Sequence, residues 1–145
     1  MSQEVIVSAC LLGELCRYDG KTKADARVLE AFEGWEIIPF CPEAPLFGTP
    51  RERISVVEVD GMRRIVTDVT CQDVTQKLRE EIERFIALYP HAKRIVLKSK
   101  SPSCGLGSTP ILNQQKEIIA YGNGIAAELF LQHYPHAKIS DETQT

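Results

Sequence analysis

The chain is 145 residues long, with 43% hydrophobic and 26% charged residues and a formal net charge of −3. That length suits one domain with its own core and no staples, and the mild negative charge gives no general pull toward DNA or an anionic membrane. No apolar stretch nears the ~20 residues of a spanning helix. The N-terminus lacks the basic segment and long apolar run of a secretory signal, so a cytoplasmic location is expected. In that compartment an odd set of five cysteines does not read as a disulfide framework.

Residues 4–9 read as a short apolar strand, followed by a turn-rich loop from Cys10 to Lys23 carrying Gly13 and Gly20. A short helix is expected near 24–33, with Val28, Leu29 and Phe32 on one face and Gly34 as its stop. Strand 36–40 follows. Residues 41–54, with three prolines and one glycine, read as a loop without an element. Ser55 to Asp60 and Arg63 to Asp68 alternate around Gly61-Met62, which predicts a hairpin.

The longest helix is expected over roughly 71–89. Val74, Leu78, Ile82, Phe85, Ile86 and Tyr89 keep the 3.6-residue period, and charged residues cover the opposite face. Strand 94–98 then feeds a Ser-Pro-Ser-Cys-Gly loop. A last strand near 117–121 and a helix over 123–134 complete the expected domain, residues 1–138, and 139–145 read as a flexible, frayed tail. Tyr89-Pro90-His91-Ala92-Lys93 recurs as Tyr134-Pro135-His136-Ala137-Lys138. Because the surroundings do not repeat, this reads as one helix exit used twice, with both histidines as exposed connectors. Lys93, Arg94, Lys98 and Lys100 flank one strand and read as a solvated face and its loop, with a local basic strip as the alternative. Alternating strands and helices argue for a single α/β domain with a mostly parallel, doubly wound sheet.

Three cysteines sit where an apolar run gives way to a turn: Cys10 after Val5-Ile6-Val7, Cys41 after Ile37-Ile38, and Cys104 after Ile95-Val96-Leu97. In an open α/β sheet the carboxyl ends of the strands converge on one crevice, so these thiols are expected to meet and to hold a metal or an iron–sulfur cluster. A closed structural zinc site uses four ligands, usually with C-x2-C knuckles. No such pair exists here. Three thiolates on a cubane leave one iron open, a Lewis acid with a preference for sulfur. Cys16 stands as an alternative to Cys10, as a spare redox thiol or as packing. Cys71, at the start of the long helix, reads as a buried small hydrophobe.

Glu43 follows Cys41-Pro42 and could accept a proton from an attacking water, or be an exposed loop acid. Ser101 and Ser103 could hold a polar ligand or cap the turn. A cysteine phosphatase loop is excluded because Arg17 arrives one place late after Cys10. Gly105-Leu106-Gly107-Ser108-Thr109 lacks the lysine and frame of a Walker loop.

Five ordered segments resemble the 2-thiouracil desulfidase family: Ser8-Ala9-Cys10-Leu11-Leu12-Gly13, Cys16-Arg17-Tyr18-Asp19-Gly20, Cys41-Pro42-Glu43, Thr49-Pro50-Arg51 and Lys100-Ser101-Pro102-Ser103-Cys104-Gly105. The resemblance spans residues 5 to about 131. It implies a Rossmann-like domain holding a 4Fe-4S cluster on Cys10, Cys41 and Cys104, whose open iron binds the sulfur of a small thiolated pyrimidine. It further implies Glu43 as general acid/base, Ser101 and then Ser103 orienting substrate or water, and Asp19 and Arg51 in the pocket. The chain departs from the family at Ala44-Pro45-Leu46-Phe47-Gly48, where a Gly-Gly-Leu-type turn is usual. There Phe47 could stack on a base or pack against the sheet. A cluster-carrying sulfur-relay or redox-sensing module without catalysis is the alternative. A structural zinc domain is a third reading, and thiolated RNA a further substrate form.

Overall fold

The computed structural model describes residues 3–14, 18–19 and 23–144. In chain order the elements are β1 (Glu4–Ser8), a 3-10 turn (Ala9–Leu12), α1 (Ala26–Ala31), β2 (Glu36–Phe40), α2 (Ala44–Phe47), β3 (Ile54–Val59) and β4 (Met62–Thr67). They continue with α3 (Thr75–Leu88), β5 (Arg94–Leu97), β6 (Thr109–Leu112), β7 (Ile118–Gly122), α4 (Ile125–His133), β8 (Lys138–Asp141) and a closing 3-10 turn (Glu142–Gln144).

The strands form two sheets, and this corrects the expectation of one. The first has the order β2-β1-β5-β8 and is parallel throughout. The second, β4-β3-β6-β7, is mixed: β3 pairs antiparallel with β4 and parallel with β6, and β6 pairs antiparallel with β7. The β3–β4 hairpin turns at Asp60 and Gly61, both with positive φ, as a tight two-residue connection between twisted strands requires. A hairpin alone cannot bury a face, and the four-residue β6, interrupted by Pro110, supplies its partner.

Period-two alternation sends the parallel sheet's side chains to opposite faces. Ile6, Ile38, Phe40, Ile95 and Leu97 pack against Ile82 and Ile86 of α3 and Ala126, Leu129 and Phe130 of α4. Val5, Val7 and Val96 face the other way, onto Val28 and Phe32 at α1. Leu78, on another side of α3, joins Ile54, Val56, Ile65 and Ile111 of the mixed sheet. α3 and α4 are therefore shared between the two sheets, so the layers run α1, parallel sheet, α3 with α4, mixed sheet. Aromatic rings reinforce the middle: Phe130 lies 4.9 Å from Phe40 and 5.6 Å from Tyr134, centroid to centroid.

Several boundaries differ from expectation. α3 begins at Thr75, where Asp73 Oδ1 accepts the Thr75 N–H at 3.0 Å and its hydroxyl at 2.7 Å, an end-of-helix role suited to a short acid. Cys71 precedes it, exposed and in the left-handed region with φ 55°, so it is not a buried packing residue. The loop 41–54 contains the short α2. The expectation of a frayed tail from 139 fails for residues 139–144. Arg94↔Lys138 through Leu97↔Asp141 are in register in the parallel sheet, and Ser140, Asp141 and Glu142 are buried. The repeated Tyr-Pro-His-Ala-Lys segments are the entrances to these two neighbouring strands. The Tyr134 hydroxyl donates to the Tyr89 carbonyl at 2.7 Å, and His91 and His136 are exposed.

Phe130→Ala is expected to cost ~3–5 kcal/mol of unfolding free energy, whereas Leu131→Ala, on the 45% exposed side of α4, should stay within ~0.5 kcal/mol, both read by urea unfolding. Glu142 supplies a pH test. Burial pushes its carboxyl up, but hydrogen bonds from Ser99 and Lys98 outweigh that and hold it below its ordinary 4.5. A depressed carboxyl stabilises the fold above the unfolded-state pKa, and that contribution is lost as pH falls through the folded-state value. Glu142→Gln should therefore show a shallower loss of stability between about pH 6 and pH 3 than the parent.

Candidate functional site

In the parallel sheet the chain steps from β1 outward to β2, then crosses to β5 on the other side. That reversal opens a crevice at the carboxyl ends of adjacent strands. At the crevice Ser8, the last residue of β1, is buried and its Oγ accepts the Lys98 N–H at 2.9 Å, just beyond β5. A cavity of about 480 Å³ lies here, lined by Cys10, Cys41, Glu43, Ser101, Ser103 and Cys104, a size in the range of small-ligand sites. The three cysteines follow β1, β2 and β5. Cys10 and Cys104 are buried and Cys41 is partly exposed. A second cavity, of about 200 Å³ and lined by Arg63, Arg79 and Glu128, lies at the mixed sheet and contains no thiol.

The loop from Cys41 to Arg51 doubles back on itself. The Glu43 carbonyl accepts the amides of Leu46 and Phe47 at the start of α2, and the Ala44 N–H points at Cys41 Sγ at 3.5 Å. Gly48, with φ 80°, turns the chain. The chain then brings Arg51 back, so that its Nε and one Nη each lie 3.4 Å from Glu43 Oε1, with the two side chains only 5% and 11% exposed. Glu43 is thus a buried acid and not an exposed loop residue. Phe47 packs toward Ile54 and Val56 and does not line the cavity.

Opposite Glu43 stands the turn after β5. Ser103, 1% exposed, donates its hydroxyl to Glu43 Oε2 at 2.6 Å. The Ser101 Oγ accepts the amides of Ser103 at 3.3 Å and Cys104 at 3.1 Å, so its oxygen caps the turn. The Ser101 carbonyl takes the Gly105 N–H at 2.9 Å and the hydroxyl of Thr109 at 2.7 Å. Two glycines permit this packing. A Cβ on Gly105 would stand 2.1 Å from Thr109 Oγ1, and one on Gly124 would stand 2.5 Å from the Ser103 carbonyl. α4 starts against the turn, and Ala126 N–H donates to Ser103 O at 2.8 Å.

Burial pushes the Cys104 thiol up to about 12, with the nearby Cys41 and Glu43 adding to the rise and the hydroxyls of Ser103 and Ser8 opposing it. Such a thiol holds its proton against water and gives it up to a bound metal cation. Among the described lining residues Lys23, Arg51, Arg53, Lys98 and Lys100 stand against one carboxylate, Glu43; Lys98 is paired behind the lining with Glu142 at 3.1 Å, and the remaining positive charge suits anionic donors.

The structure brings together seven of the residues singled out from sequence: Cys10, Cys41, Glu43, Arg51, Ser101, Ser103 and Cys104. Asp19 is half-buried and lies outside the lining. Cys16 lies outside the described residues. The sequence reading missed Ser8, Arg53, Lys98 and Thr143 as lining residues. Ser8 and Lys98 occupy strand-end positions that the strand assignments already marked, and the second Tyr-Pro-His-Ala-Lys segment signalled the strand that carries Thr143 to the cavity. Among the described residues no three His, Cys, Asp or Glu side chains close around a single metal ion.

Thiols after three parallel strands, lining one cavity with a buried acid–serine pair, define an α/β protein with a thiol-lined crevice. The sequence matches the family model described as 2-thiouracil desulfurase over residues 5–142, and the chain belongs to that family. The uncharacterized protein YbbK of Bacillus subtilis (strain 168) is 32% identical over 112 residues, 71% of this chain and 74% of YbbK. A solved structure described as the 4Fe-4S-dependent thiouracil desulfidase TudS is similar with a TM-score of 0.76 and 31% identity, over 99% of this chain and 93% of that one.

Gly124→Ala tests the packing of α4 on the cysteine turn. It is expected to cost on the order of 1–3 kcal/mol in urea unfolding. It should also narrow the gap in alkylation rate between buried Cys104 and exposed Cys71, read by mass spectrometry of the iron-free protein.

Proposed function

We propose that this protein is a 4Fe-4S-dependent desulfidase that replaces the sulfur of a small thiolated compound, such as 2-thiouracil, with oxygen from water. The observation that carries the reading is the facing of Cys10, Cys41 and Cys104 with the Glu43–Ser103 pair across one cavity. The donor set fits the cluster: three soft thiols after three strands, with room left in the cavity beside them. The order of β1, β2 and β5, with helices on both faces, also supports reading the parallel-sheet region as Rossmann-like.

Cys10, Cys41 and Cys104 would hold the cluster, which supplies an open iron as a soft Lewis acid for the thiocarbonyl sulfur. Glu43 takes the proton of the attacking water and returns it to the product or to the departing sulfide. Arg51 and Ser103 grip opposite oxygens of that carboxylate and fix its direction. This gives Arg51 a role in orienting Glu43 rather than in contacting substrate. The Ser101 oxygen caps the turn, and its hydroxyl, 3.4 Å from the oxygen of Ser103, donates there or turns to a bound ligand. The C–O bond forms, the C–S bond breaks with its electron pair leaving on sulfur, and the thiolated base plus water become the oxo base plus hydrogen sulfide. No electron is gained or lost. No helix among the described residues is long and apolar enough to cross a membrane.

The test is anaerobic reconstitution with iron and sulfide, followed by 2-thiouracil, with uracil and sulfide measured. The parent should show the broad absorbance near ~400 nm of thiolate-bound clusters and release both products. Glu43→Gln should keep that absorbance and lose at least ~100-fold in kcat, and Cys104→Ser should lose the absorbance itself. An active Glu43→Gln enzyme overturns the assigned base, and a protein that holds the cluster without releasing uracil overturns the substrate.

A further inference from the structure

Behind the cavity lining stands a buried carboxylate that the chemistry above does not use. Glu142, in the closing 3-10 turn after β8, is 9% exposed. One of its oxygens accepts the Ser99 N–H at 2.6 Å, and the other accepts the Ser99 hydroxyl at 2.8 Å and lies 3.1 Å from Lys98 Nζ. Its neighbour Thr143 lines the cavity. The segment it grips leads directly into the Ser101–Cys104 turn.

A strand that stops pairing leaves its next amides without sheet partners. Beyond β5 the three consecutive amides of Lys98, Ser99 and Lys100 are each taken by a side-chain oxygen, from Ser8 at 2.9 Å, Glu142 at 2.6 Å and Ser108 at 2.9 Å. These oxygens come from three separate parts of the chain. Glu142 supplies the one charged acceptor of the three and uses both its oxygens. Immediately after it Lys100 sits in the left-handed region with φ 63°. A side chain with a Cβ is strained there and persists where the surroundings over-determine the backbone. Anchoring β8 does not require this arrangement, since that strand is already paired with β5 through Asp141. A largely desolvated Lys98–Glu142 pair also contributes less to stability than to fixing one geometry.

We propose that Glu142 is a positioning residue of the site: by fixing Ser99 and Lys98 it sets the start of the Ser101–Cys104 turn, so that Cys104 and Ser103 face Cys41 and Glu43. Its consequence for turnover rests on the desulfidase reading, whereas its hold on the turn is independent of that reading.

The test compares the full-length parent with Glu142→Ala, Glu142→Gln and Ser99→Ala. Amide hydrogen exchange of peptides covering 98–106 is measured in iron-free protein, and iron loss to a chelator is measured after reconstitution. Glu142→Ala is expected to speed exchange in 98–106 while peptides from β1, β2 and α3 stay protected. It should speed iron loss about tenfold or more, the scale seen when a partner behind a metal ligand is removed. Glu142→Gln, which keeps an oxygen for the Ser99 amide, should fall between parent and alanine. With 2-thiouracil, kcat should drop while KM holds, since Glu142 does not line the cavity. Exchange that rises uniformly across the sheet with a matching fall in Tm would overturn the proposal in favour of a plain anchor for the chain end. So would unchanged exchange in 98–106 with unchanged iron loss. If Glu142→Ala does not fold, Glu142→Gln and Ser99→Ala carry the same comparison. A parent that binds iron but desulfidates nothing would refute the desulfidase reading, and the exchange contrast would still decide the role of Glu142.

Discussion

Where β1 and β5 part, one buried serine takes an amide that the sheet can no longer serve: Ser8 Oγ on Lys98 N–H. The parallel alignment that makes this contact also fixes the rest of the site. Parallel neighbours end on the same edge, and a chain that reverses direction across the sheet leaves its crevice at that edge. Cys10, Cys41 and Cys104 follow β1, β2 and β5, three consecutive strands in the sheet order. Three strand ends are held side by side by the packing of Ile6, Ile38, Ile95 and Leu97 on α3 and α4, and the turn after β5 carries Cys104 the rest of the way.

Within that frame the chemistry depends on backbone placement more than on side-chain number. The turn carrying Ser103 and Cys104 is pressed between Thr109 on one side and the start of α4 on the other, at distances that only Gly105 and Gly124 allow. That pressure holds the Ser103 hydroxyl at 2.6 Å from Glu43. Glu43 is in turn held by Arg51, which the loop after β2 returns to it. Acid, hydroxyl and thiol therefore form one connected unit, the acid from the loop after β2 and the hydroxyl and thiol from the turn after β5. Such networks are stiff when every member is satisfied.

Much of this was legible in the residues. Strand 36–40, the alternating hairpin around Gly61 and the periodic helix carrying Leu78, Ile82 and Ile86 stand where their patterns put them. The cysteine positions after apolar runs, and Glu43 beside Cys41, marked the cavity before any coordinates. Other features were not legible, for identifiable reasons. The strand Thr109–Leu112 is four residues long and holds a proline, so it carries no alternation to read; it exists because β3 and β7 flank it. The strand Lys138–Asp141 ends in polar residues and resembles a tail, yet it pairs with β5, and the turn that follows it buries Glu142 and brings Thr143 to the cavity. Cys71 has the composition of a helix start, but a left-handed backbone leaves it exposed.

The sequence by itself determined which residues could do chemistry and the edge to which they would be delivered, because strand periodicity and turn composition are local properties of a chain. The tertiary structure decided their roles. Ser101 as cap and Ser103 as the partner of Glu43 are two residues apart with the same side chain, and they differ only in where the turn points each hydroxyl. Arg51 meets Glu43 across a folded loop, and Glu142 meets Ser99 from 43 residues away. Contacts of that kind depend on packing between distant segments, which no local pattern encodes.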